Sequence, residues 1–223
     1  WWIHGDDYMT ELPRRSIIIT GGNSGIGRAI AGLFCDYDWQ VAVCSRSARD
    51  PSLPAAIVHH AVDVRKKSQV EDFVMDIAAR FGRLDVLVNC AGISRWRAIG
   101  DIDEAFIEDI VSTSVKGTLW SCSAASKVLK SGASIVNISS LAGKRGSANN
   151  SVYCAAKFAI NGITQALAKE LGPRGIRVNA VCPVYVETPH ILSSLAESGS
   201  PAWGDQVGGY LASFAKSQAA LGR

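Results

Sequence analysis

The sequence predicts an α/β protein built on one doubly wound parallel sheet. Three observations lead to this class: short apolar runs alternate with segments of helical periodicity, the first run is apolar throughout, and a glycine-rich turn follows it directly. A strand that is buried on both faces of a parallel sheet reads as a continuous apolar run, and alternation with helices is typical of such sheets. The predicted strand segments, in chain order, are 16–20, 41–45, 57–64, 84–92, 133–140 and 175–183.

The predicted helices fill the intervals between these strands. The segment 66–82 has the clearest helical pattern, and Gly82 stands where a glycine commonly ends a helix. One or two helices are expected within 103–130. Others follow the glycine-rich turn near Gly25 and cover 151–172.

The alternation is not divided by a linker, a repeat or a low-complexity segment. Residues 16–223 are therefore expected to form one domain, preceded by an N-terminal tail over 1–15. The chain opens on Trp1 rather than on a methionine, so residues 1–8 are interpreted as upstream sequence or a natural extension. No signal peptide is expected, because no basic start is followed by an apolar run.

Composition argues against several classes of function. The chain has 223 residues, 48% of them hydrophobic, and a net charge of +3, so neither a nucleic-acid partner nor a membrane-spanning segment is expected. Its six cysteines are scattered without close pairs, which is typical of reduced cysteines in a cytoplasmic protein. His59 and His60 lack other residues of the metal-binding types, so no metal site is predicted.

The turn TGGNSGIG, residues 20–27, joins the first strand to the first helix. Ligands of doubly wound sheets bind at the carboxyl ends of the strands. The glycines allow tight turning and a close approach of the backbone, while the helix that begins near Gly25 directs N–H groups and a positive dipole end at the ligand. A pyrophosphate is the ligand that this arrangement favours.

A second chemical feature lies between residues 140 and 157. Tyr153 and Lys157 stand four residues apart in a predicted helix and therefore on the same face, and Ser140 ends the preceding strand segment. A phenol releases its proton only at about pH 10, and a neighbouring ammonium is expected to lower that pKa. With a serine to hold the substrate oxygen, the three residues predict an acid–base site for a carbon–oxygen centre.

These motifs occur together and in order. TGGNSGIG is followed by NCAG at 89–92 and by YCAAK, which begins at Tyr153, with a serine thirteen residues before that tyrosine. In this combination the chain resembles the short-chain dehydrogenase/reductase family, whose single-domain branch has the glycine spacing TGxxxGxG. The resemblance extends from about Ser16 to Pro189 and implies a Rossmann-type fold.

The resemblance implies catalytic roles. Tyr153 is the expected general acid and base, Lys157 holds the nicotinamide ribose and lowers the phenol pKa, and Ser140 orients the substrate oxygen. Ser114 stands where the family usually has an asparagine that binds a water for proton relay, so slower proton exchange is expected. Val184 stands where the family prefers glycine, and this side chain is expected to narrow the site.

The resemblance also implies which residues bind a nicotinamide dinucleotide. They belong to the glycine-rich turn, the ends of the second and third strands, the turn at 89–92, the catalytic pair and the segment after the sixth strand. The full set is Gly21, Asn23, Ser24, Gly25, Ile26, Gly27, Ser45, Arg46, Asp63, Val64, Asn89, Ala91, Gly92, Tyr153, Lys157, Pro183, Val186 and Thr188.

The end of the second strand decides between the two dinucleotides. A carboxylate there would bind the ribose 2′-hydroxyl of NAD, whereas an arginine accommodates the 2′-phosphate of NADP. Ser45 and Arg46 occupy this position and no acid follows until Asp50, so NADP(H) is predicted. The expected activity is an NADP(H)-dependent interconversion of a ketone and a secondary alcohol. Two alternatives are an NAD-dependent alcohol dehydrogenase of the same family and a catalytically weak nucleotide-binding scaffold.

The sequence leaves the small-molecule carbonyl or alcohol substrate undefined. A substrate lid is expected at about 189–215, with Trp203 as a candidate aromatic over the substrate. Relatives pair through helices that correspond to 103–130 and 151–172, so a homodimer is expected, with a tetramer as the alternative. The chain ends before the strand with which family members usually finish, so the sheet is expected to lack that strand.

Overall fold

The computed structural model describes residues 14–204 and 206–218. Most of the predicted N-terminal tail, residues 1–13, lies outside the described residues. The described chain forms a parallel sheet of six strands flanked by helices. The predicted α/β class with a Rossmann-type sheet is therefore confirmed.

Each predicted strand segment overlaps one strand of this sheet, and β2 begins one residue earlier than predicted. The strands are β1 (Ser16–Thr20), β2 (Gln40–Ser45), β3 (Val58–Ala61), β4 (Val86–Asn89), β5 (Ser134–Ile138) and β6 (Arg177–Val181). They lie in the order β3-β2-β1-β4-β5-β6, and every neighbouring pair is parallel. β3 is shorter than predicted. Val62 and Val64 made the apolar segment longer in the sequence, but they lie in the loop after β3, where they are buried against residues of α2 and α4.

Among the described residues, seven α-helices lie between or after these strands. They are α1 (Gly25–Asp36), α2 (Lys67–Phe81), α3 (Glu104–Val111), α4 (Gly117–Ser126), α5 (Ser151–Leu171), α6 (Pro189–Leu195) and α7 (Val207–Gln218). α3 and α4 are joined by a π-helical turn, Ser112–Lys116, so the segment 103–130 holds two helices in continuous succession. α2 ends at Gly82 as predicted, in a left-handed conformation with φ of 72° that suits glycine.

The sheet is buried on both faces, because successive side chains of a strand point to opposite sides. In β1, Ile18 packs with residues of α2 and α4, whereas Ile17 and Ile19 pack with residues of α1. All three isoleucines are fully buried. This two-sided burial is the physical reason why β1 reads as an unbroken apolar run.

The strand order changes direction between β1 and β4, where ligands of such sheets bind. Thr20 at the end of β1 is aligned with Asn89 at the end of β4. Its Oγ1 accepts hydrogen bonds from the main-chain N–H groups of Cys90 and Ala91 at 3.1 and 3.2 Å. The glycine-rich turn and the turn at 89–92 are thus held side by side at the carboxyl edge of the sheet.

The region after β6 packs apart from the main core. Trp96, Leu195 and Ala202 form a small buried cluster, and α7 packs partly buried hydrophobic residues against it. Within 14–204 and 206–218 no further strand follows β6. No helix of this part of the chain has the length and apolarity needed to cross a bilayer.

Candidate active site

Ser140, Tyr153 and Lys157 are brought together where β5 ends and α5 begins. Ser140 is the second residue after β5, and its Oγ accepts a hydrogen bond from the main-chain N–H of Ala142 at 3.1 Å. Tyr153 and Lys157 lie one turn apart on α5, with Lys157 Nζ 5.6 Å from the centroid of the tyrosine ring. The sequence spacing alone therefore placed these three side chains correctly on adjoining elements.

Lys157 is a buried cation, with 6% of its surface exposed. Its Nζ donates a hydrogen bond to the main-chain oxygen of Ile138 at 2.8 Å. The main-chain oxygen of Lys157 in turn accepts from Ser139 Oγ at 3.0 Å, which ties α5 to the end of β5. Burial lowers the pKa of the Lys157 ammonium to about 8.

Tyr153 differs from the expectation in one respect. The sequence predicted that Lys157 lowers the pKa of the phenol, but burial raises the pKa of Tyr153 in this structure. Hydrogen bonding with Ser140 and with Ser94 acts in the opposite direction. The hydroxyl groups of the two serines, rather than the lysine charge, are therefore the groups that favour the phenolate here. Ser94 was not predicted, because it lies in a loop with no spacing signal.

A cleft of about 390 Å³, called the main cleft below, runs along the carboxyl edge of the sheet. It extends from the start of α1 to Tyr153 and Lys157 on α5 and to the segment after β6. The predicted site residues on its walls are Gly21, Ser24, Gly25, Ile26, Gly27, Arg46, Ala91, Gly92, Ser140, Tyr153, Lys157, Pro183, Val186 and Thr188.

The first turn of the main cleft has the shape and polarity that a pyrophosphate needs. A Cβ on Gly27 would lie 2.4 Å from the main-chain oxygen of Gly21, so only glycine permits this close packing. Ser24 precedes α1 without a side-chain hydrogen bond to the helix, and the first turn of α1 contains no acidic residue. The N–H groups at the start of α1 are therefore neither capped by Ser24 nor faced by a negative charge, and they suit an anionic group.

Arg46 is exposed and lines the main cleft just after β2. Asp50, the first acid after it, is paired with Arg28 at 3.3 Å and accepts a hydrogen bond from the main-chain N–H of Ser52. The first carboxylate after Arg46 in the sequence, Asp50, is therefore bonded to Arg28 and Ser52.

Several predicted site residues do not line the main cleft; they support it from behind. Asn23 donates to Ser47 Oγ and to the main-chain oxygen of Ala48, both at 2.8 Å, and so braces the glycine-rich turn against the loop after β2. Ser45 Oγ is 2.9 Å from His59 Nε2. A pattern of residue types cannot separate such bracing from ligand contact, because both use the same polar groups.

Asp63, Val64 and Asn89 also face other partners. The carboxylate of Asp63 accepts hydrogen bonds from Arg65 at both oxygens, and this pairing is the main cause that lowers the pKa of Asp63. Val64 is buried in the main core. Asn89 Nδ2 donates to Asn137 Oδ1 at 2.9 Å inside the sheet.

Ser114 lies in the π-helical turn, behind Gly92 and outside the walls of the main cleft. The position that a Cβ on Gly92 would take is 3.9 Å from Ser114 Oγ and 3.6 Å from Lys157 Nζ. Ser114 is 1% exposed, and its Oγ has no hydrogen-bond partner among the described residues. A buried polar atom without a partner is a place where a bridging water is expected.

A second cavity of about 240 Å³ adjoins the main cleft, and we call it the aromatic cavity. Ser94, Ser140, Tyr153, Val184 and Ile191 line both spaces. Its aromatic walls come from Trp96, Tyr185, Tyr210 and Phe214. Tyr210 and Phe214 belong to the segment 189–215 that was expected to form a lid, but none of the four residues was individually predicted, since they come from separate loops and from α7.

Trp203, the predicted lid aromatic, is not among the residues that line the aromatic cavity. Its side chain is 62% exposed on the outer surface. The expectation that Trp203 lies over the substrate is therefore wrong in this structure. α7 presents Tyr210 and Phe214 to the cavity instead, because residues four apart share one face of a helix.

Comparison with known proteins agrees with this arrangement. A family model described as short chain dehydrogenase matches residues 15–197. Carbonyl reductase family member 4 of Xenopus tropicalis is 36% identical over 180 residues, which cover 78% of this chain and 76% of the relative.

Two solved structures extend the comparison to the fold. Ligand-free aldohexose dehydrogenase of Thermoplasma acidophilum superposes with a TM-score of 0.77 at 32% identity, covering 84% of this chain and 73% of that one. A short chain dehydrogenase of Burkholderia cenocepacia in complex with NADP gives a TM-score of 0.76 at 32% identity, covering 80% and 76%. The chain thus belongs to the short-chain dehydrogenase/reductase family, oxidoreductases that act on alcohol and carbonyl groups with a nicotinamide dinucleotide.

Proposed function

We propose that the protein is an NADP(H)-dependent oxidoreductase that interconverts a ketone and a secondary alcohol. One observation carries this proposal: Ser140 and Tyr153 line both the main cleft and the aromatic cavity. Proton transfer at Tyr153 can therefore take place where a dinucleotide in the cleft and a substrate in the cavity would meet.

The chain's own residues then have distinct tasks. In the reducing direction, the Tyr153 hydroxyl donates its proton to the carbonyl oxygen, which Ser140 holds by a hydrogen bond. A nicotinamide bound in the main cleft would supply the hydride to the carbonyl carbon. Lys157 is the residue that would bind the ribose of the dinucleotide, while hydrogen bonding with Ser140 and Ser94 favours the phenolate left on Tyr153.

The glycine-rich turn and the start of α1 would hold the pyrophosphate, and Val186 and Thr188 would hold the nicotinamide end. Asn23, Asp63 and Asn89 support these groups by fixing the loops that carry them. Their observed partners are Ser47, Arg65 and Asn137. The carboxylate of Asp63 would therefore bind the adenine while it remains hydrogen-bonded to Arg65.

The preference for NADP(H) rests on Arg46, because Ser45 is hydrogen-bonded to His59 and does not line the main cleft. Arg46 is an exposed cation on the wall of the main cleft, and the first acid after it is paired with Arg28. A guanidinium binds a phosphate through charge-assisted hydrogen bonds, whereas the 2′-hydroxyl of NAD needs a carboxylate that is absent from this position. The NADP-bound relative from Burkholderia cenocepacia supports the same choice.

The cofactor assignment is tested by measuring catalytic efficiency with NADPH and with NADH. We expect Arg46→Ala to lower the efficiency with NADPH by roughly tenfold or more, the value of a charge-assisted hydrogen bond, and to leave that with NADH nearly unchanged. Arg80→Ala, an exposed cation at the end of α2, is the matched control. A preference for NADH in both the unchanged protein and Arg46→Ala would contradict the NADP(H) assignment and favour the NAD-dependent dehydrogenase.

The chemical assignment is tested by Tyr153→Phe. We expect this change to lower turnover by at least about a hundredfold, because it removes the proton donor, while cofactor binding remains. Cofactor binding without turnover of any ketone or alcohol by the unchanged protein would favour the nucleotide-binding scaffold instead.

We also propose that the protein forms a homodimer through α4 and α5 in the cytoplasm. Leu119 on α4 and Phe158 on α5 are 40% and 48% exposed, an apolar surface that a second copy would cover. Light scattering should give a molar mass twice that of the monomer, and Phe158→Glu should lower the molar mass to that of one monomer. The free state of the six cysteines agrees with a reducing compartment.

A further inference from the structure

We propose that the substrate is a neutral carbonyl compound, or the matching alcohol, whose body is one or two apolar rings held in the aromatic cavity. This inference rests on the proposed function, since it names the substrate class for the same tyrosine. It draws on the aromatic walls, the polar groups, the charge and the size of the cavity.

The aromatic walls come from three separate segments of the chain. Trp96 is 6% exposed and comes from the loop after β4, Tyr185 follows β6, and Phe214 belongs to α7. The rings of Tyr185 and Phe214 are 4.9 Å apart and nearly perpendicular, at 81°. Such edge-to-face packing leaves aromatic surface for a further ring, which gains free energy both by leaving water and by ring–ring contact.

Most polar groups away from Tyr153 have partners inside the protein; Asn150 Oδ1 is an exception, since it is buried without a hydrogen-bond partner among the described residues. Tyr185 and Tyr210 join their hydroxyl groups at 3.3 Å. Asn149 Nδ2 donates to the main-chain oxygen of Gly199 at 3.1 Å. The hydroxyl groups near the reacting centre belong to Ser94, Ser140 and Tyr153 itself, so the inner end of the cavity suits one carbon–oxygen group and the outer part suits an apolar body.

The walls offer an anionic substrate no buried cation. Among the described residues that line the cavity, Arg145 is the only charged one. Both of its terminal nitrogens lie 3.2 Å from Gln218 Oε1, and the residue is exposed. A carboxylate carried into the cavity would lose water without meeting a buried cation, which is strongly unfavourable.

The size of the cavity limits the number of rings. An apolar protein cavity of about 150 Å³ holds benzene. The aromatic cavity, at about 240 Å³, therefore has room for one or two fused rings. With a reduced nicotinamide bound, its hydride would form the new C–H bond, and the carbonyl π electrons would form the O–H bond with the proton from Tyr153.

The test compares matched carbonyl compounds with NADPH and NADH. α-Tetralone should be reduced with at least about thirtyfold higher catalytic efficiency than butanone, because the cavity buries its rings. Ethyl benzoylformate should be preferred over the benzoylformate anion. A preference for butanone, for benzoylformate, for an aldohexose or for the N-acetylcysteamine thioester of acetoacetate would overturn the proposal.

Variants locate the effect in the aromatic cavity. Phe214→Ala should lower the efficiency for α-tetralone by about tenfold or more and change that for butanone by less than about twofold. Phe214→Leu, which keeps an apolar side chain, serves as a second variant if the alanine protein does not fold. Trp203→Ala, an exposed aromatic of the same segment, is the control and should change neither. Equal losses for both ketones would contradict the assignment.

Failure of the inference is distinguishable from failure of the proposed function. If no carbonyl compound or alcohol is turned over with either dinucleotide, the redox function fails, and the cavity is judged by binding alone. α-Tetralone should then raise the Tm of the unchanged protein more than that of Phe214→Leu. Equal shifts, or none, overturn the substrate class.

Discussion

Lys157 Nζ lies 2.8 Å from the main-chain oxygen of Ile138, so the ammonium on α5 is anchored to the last residue of β5. The same side chain is 6% exposed, and its burial lowers the pKa to about 8. The position of this cation is therefore set by the fold itself. Burial favours release of the proton from the ammonium, so the stability of the fold should depend on pH.

Stability should depend on pH through Lys157. The folded state binds the lysine proton less tightly than the unfolded state, whose lysine pKa is about 10.4. Protonation thus opposes folding, and this penalty is fully present below about pH 8 and disappears as the pH rises toward 10.4. Relative to Lys157→Met, the unchanged protein should gain up to about 3 kcal/mol of unfolding free energy between these pH values.

Urea denaturation of both proteins at several pH values measures this difference. Lys169→Met, an exposed lysine on the same helix, should run parallel to the unchanged protein throughout. A constant difference between the Lys157→Met variant and the unchanged protein across this range would contradict the buried cation.

Ser94 should act on the reaction through Tyr153. Hydrogen bonding with Ser94 lowers the pKa of the phenol, so Ser94→Ala should shift the pH profile of alcohol oxidation to higher pH. Turnover in that direction should fall by roughly tenfold, as expected for loss of a hydrogen bond to a charged group. Ser94→Thr keeps the hydroxyl and should restore the profile. An unshifted profile in the alanine variant would show that Ser94 only lines the cavity.

Ser114 offers a test of proton relay behind Lys157. Ser114→Asn should raise turnover several-fold, because a longer side chain with an amide can hold the bridging water more firmly. Ser114→Ala should lower turnover yet leave stability unchanged or slightly higher, because the buried Oγ has no partner to lose among the described residues. Equal or lower turnover in Ser114→Asn, measured in a protein of unchanged Tm, would argue against the relay.

Two glycines of α1 should respond oppositely to the same change. Gly27→Ala places a Cβ 2.4 Å from the main-chain oxygen of Gly21, which should destabilise the protein by about 1–3 kcal/mol and abolish dinucleotide binding. A Cβ added at Gly32 would meet no atom within 4 Å outside the nearby backbone of its own helix. Gly32→Ala should therefore stabilise the protein by up to about 1 kcal/mol. Denaturation and a fluorescence titration with NADPH measure both effects. Normal binding by Gly27→Ala would mean that the turn relaxes readily.

The sequence by itself determined the fold class and the grouping of the candidate catalytic residues, because both follow from local patterns. Buried strands such as β1 read as apolar runs, and the i, i+4 spacing of Tyr153 and Lys157 on α5 puts both side chains on the main cleft. The glycine-rich turn likewise follows from backbone geometry, as the close approach of Gly27 to Gly21 illustrates.

Only the tertiary structure decided which polar residues brace the site and which residues form the aromatic cavity. Asn23 and Ser45 have the residue types of ligand contacts, but they hydrogen-bond to other loops. Trp96, Tyr185 and Phe214 come from three separate segments of the chain and line one cavity only in the folded protein. Burial also set the sign of the pKa shift at Tyr153, since desolvation depends on every surrounding segment and not on the spacing within one helix.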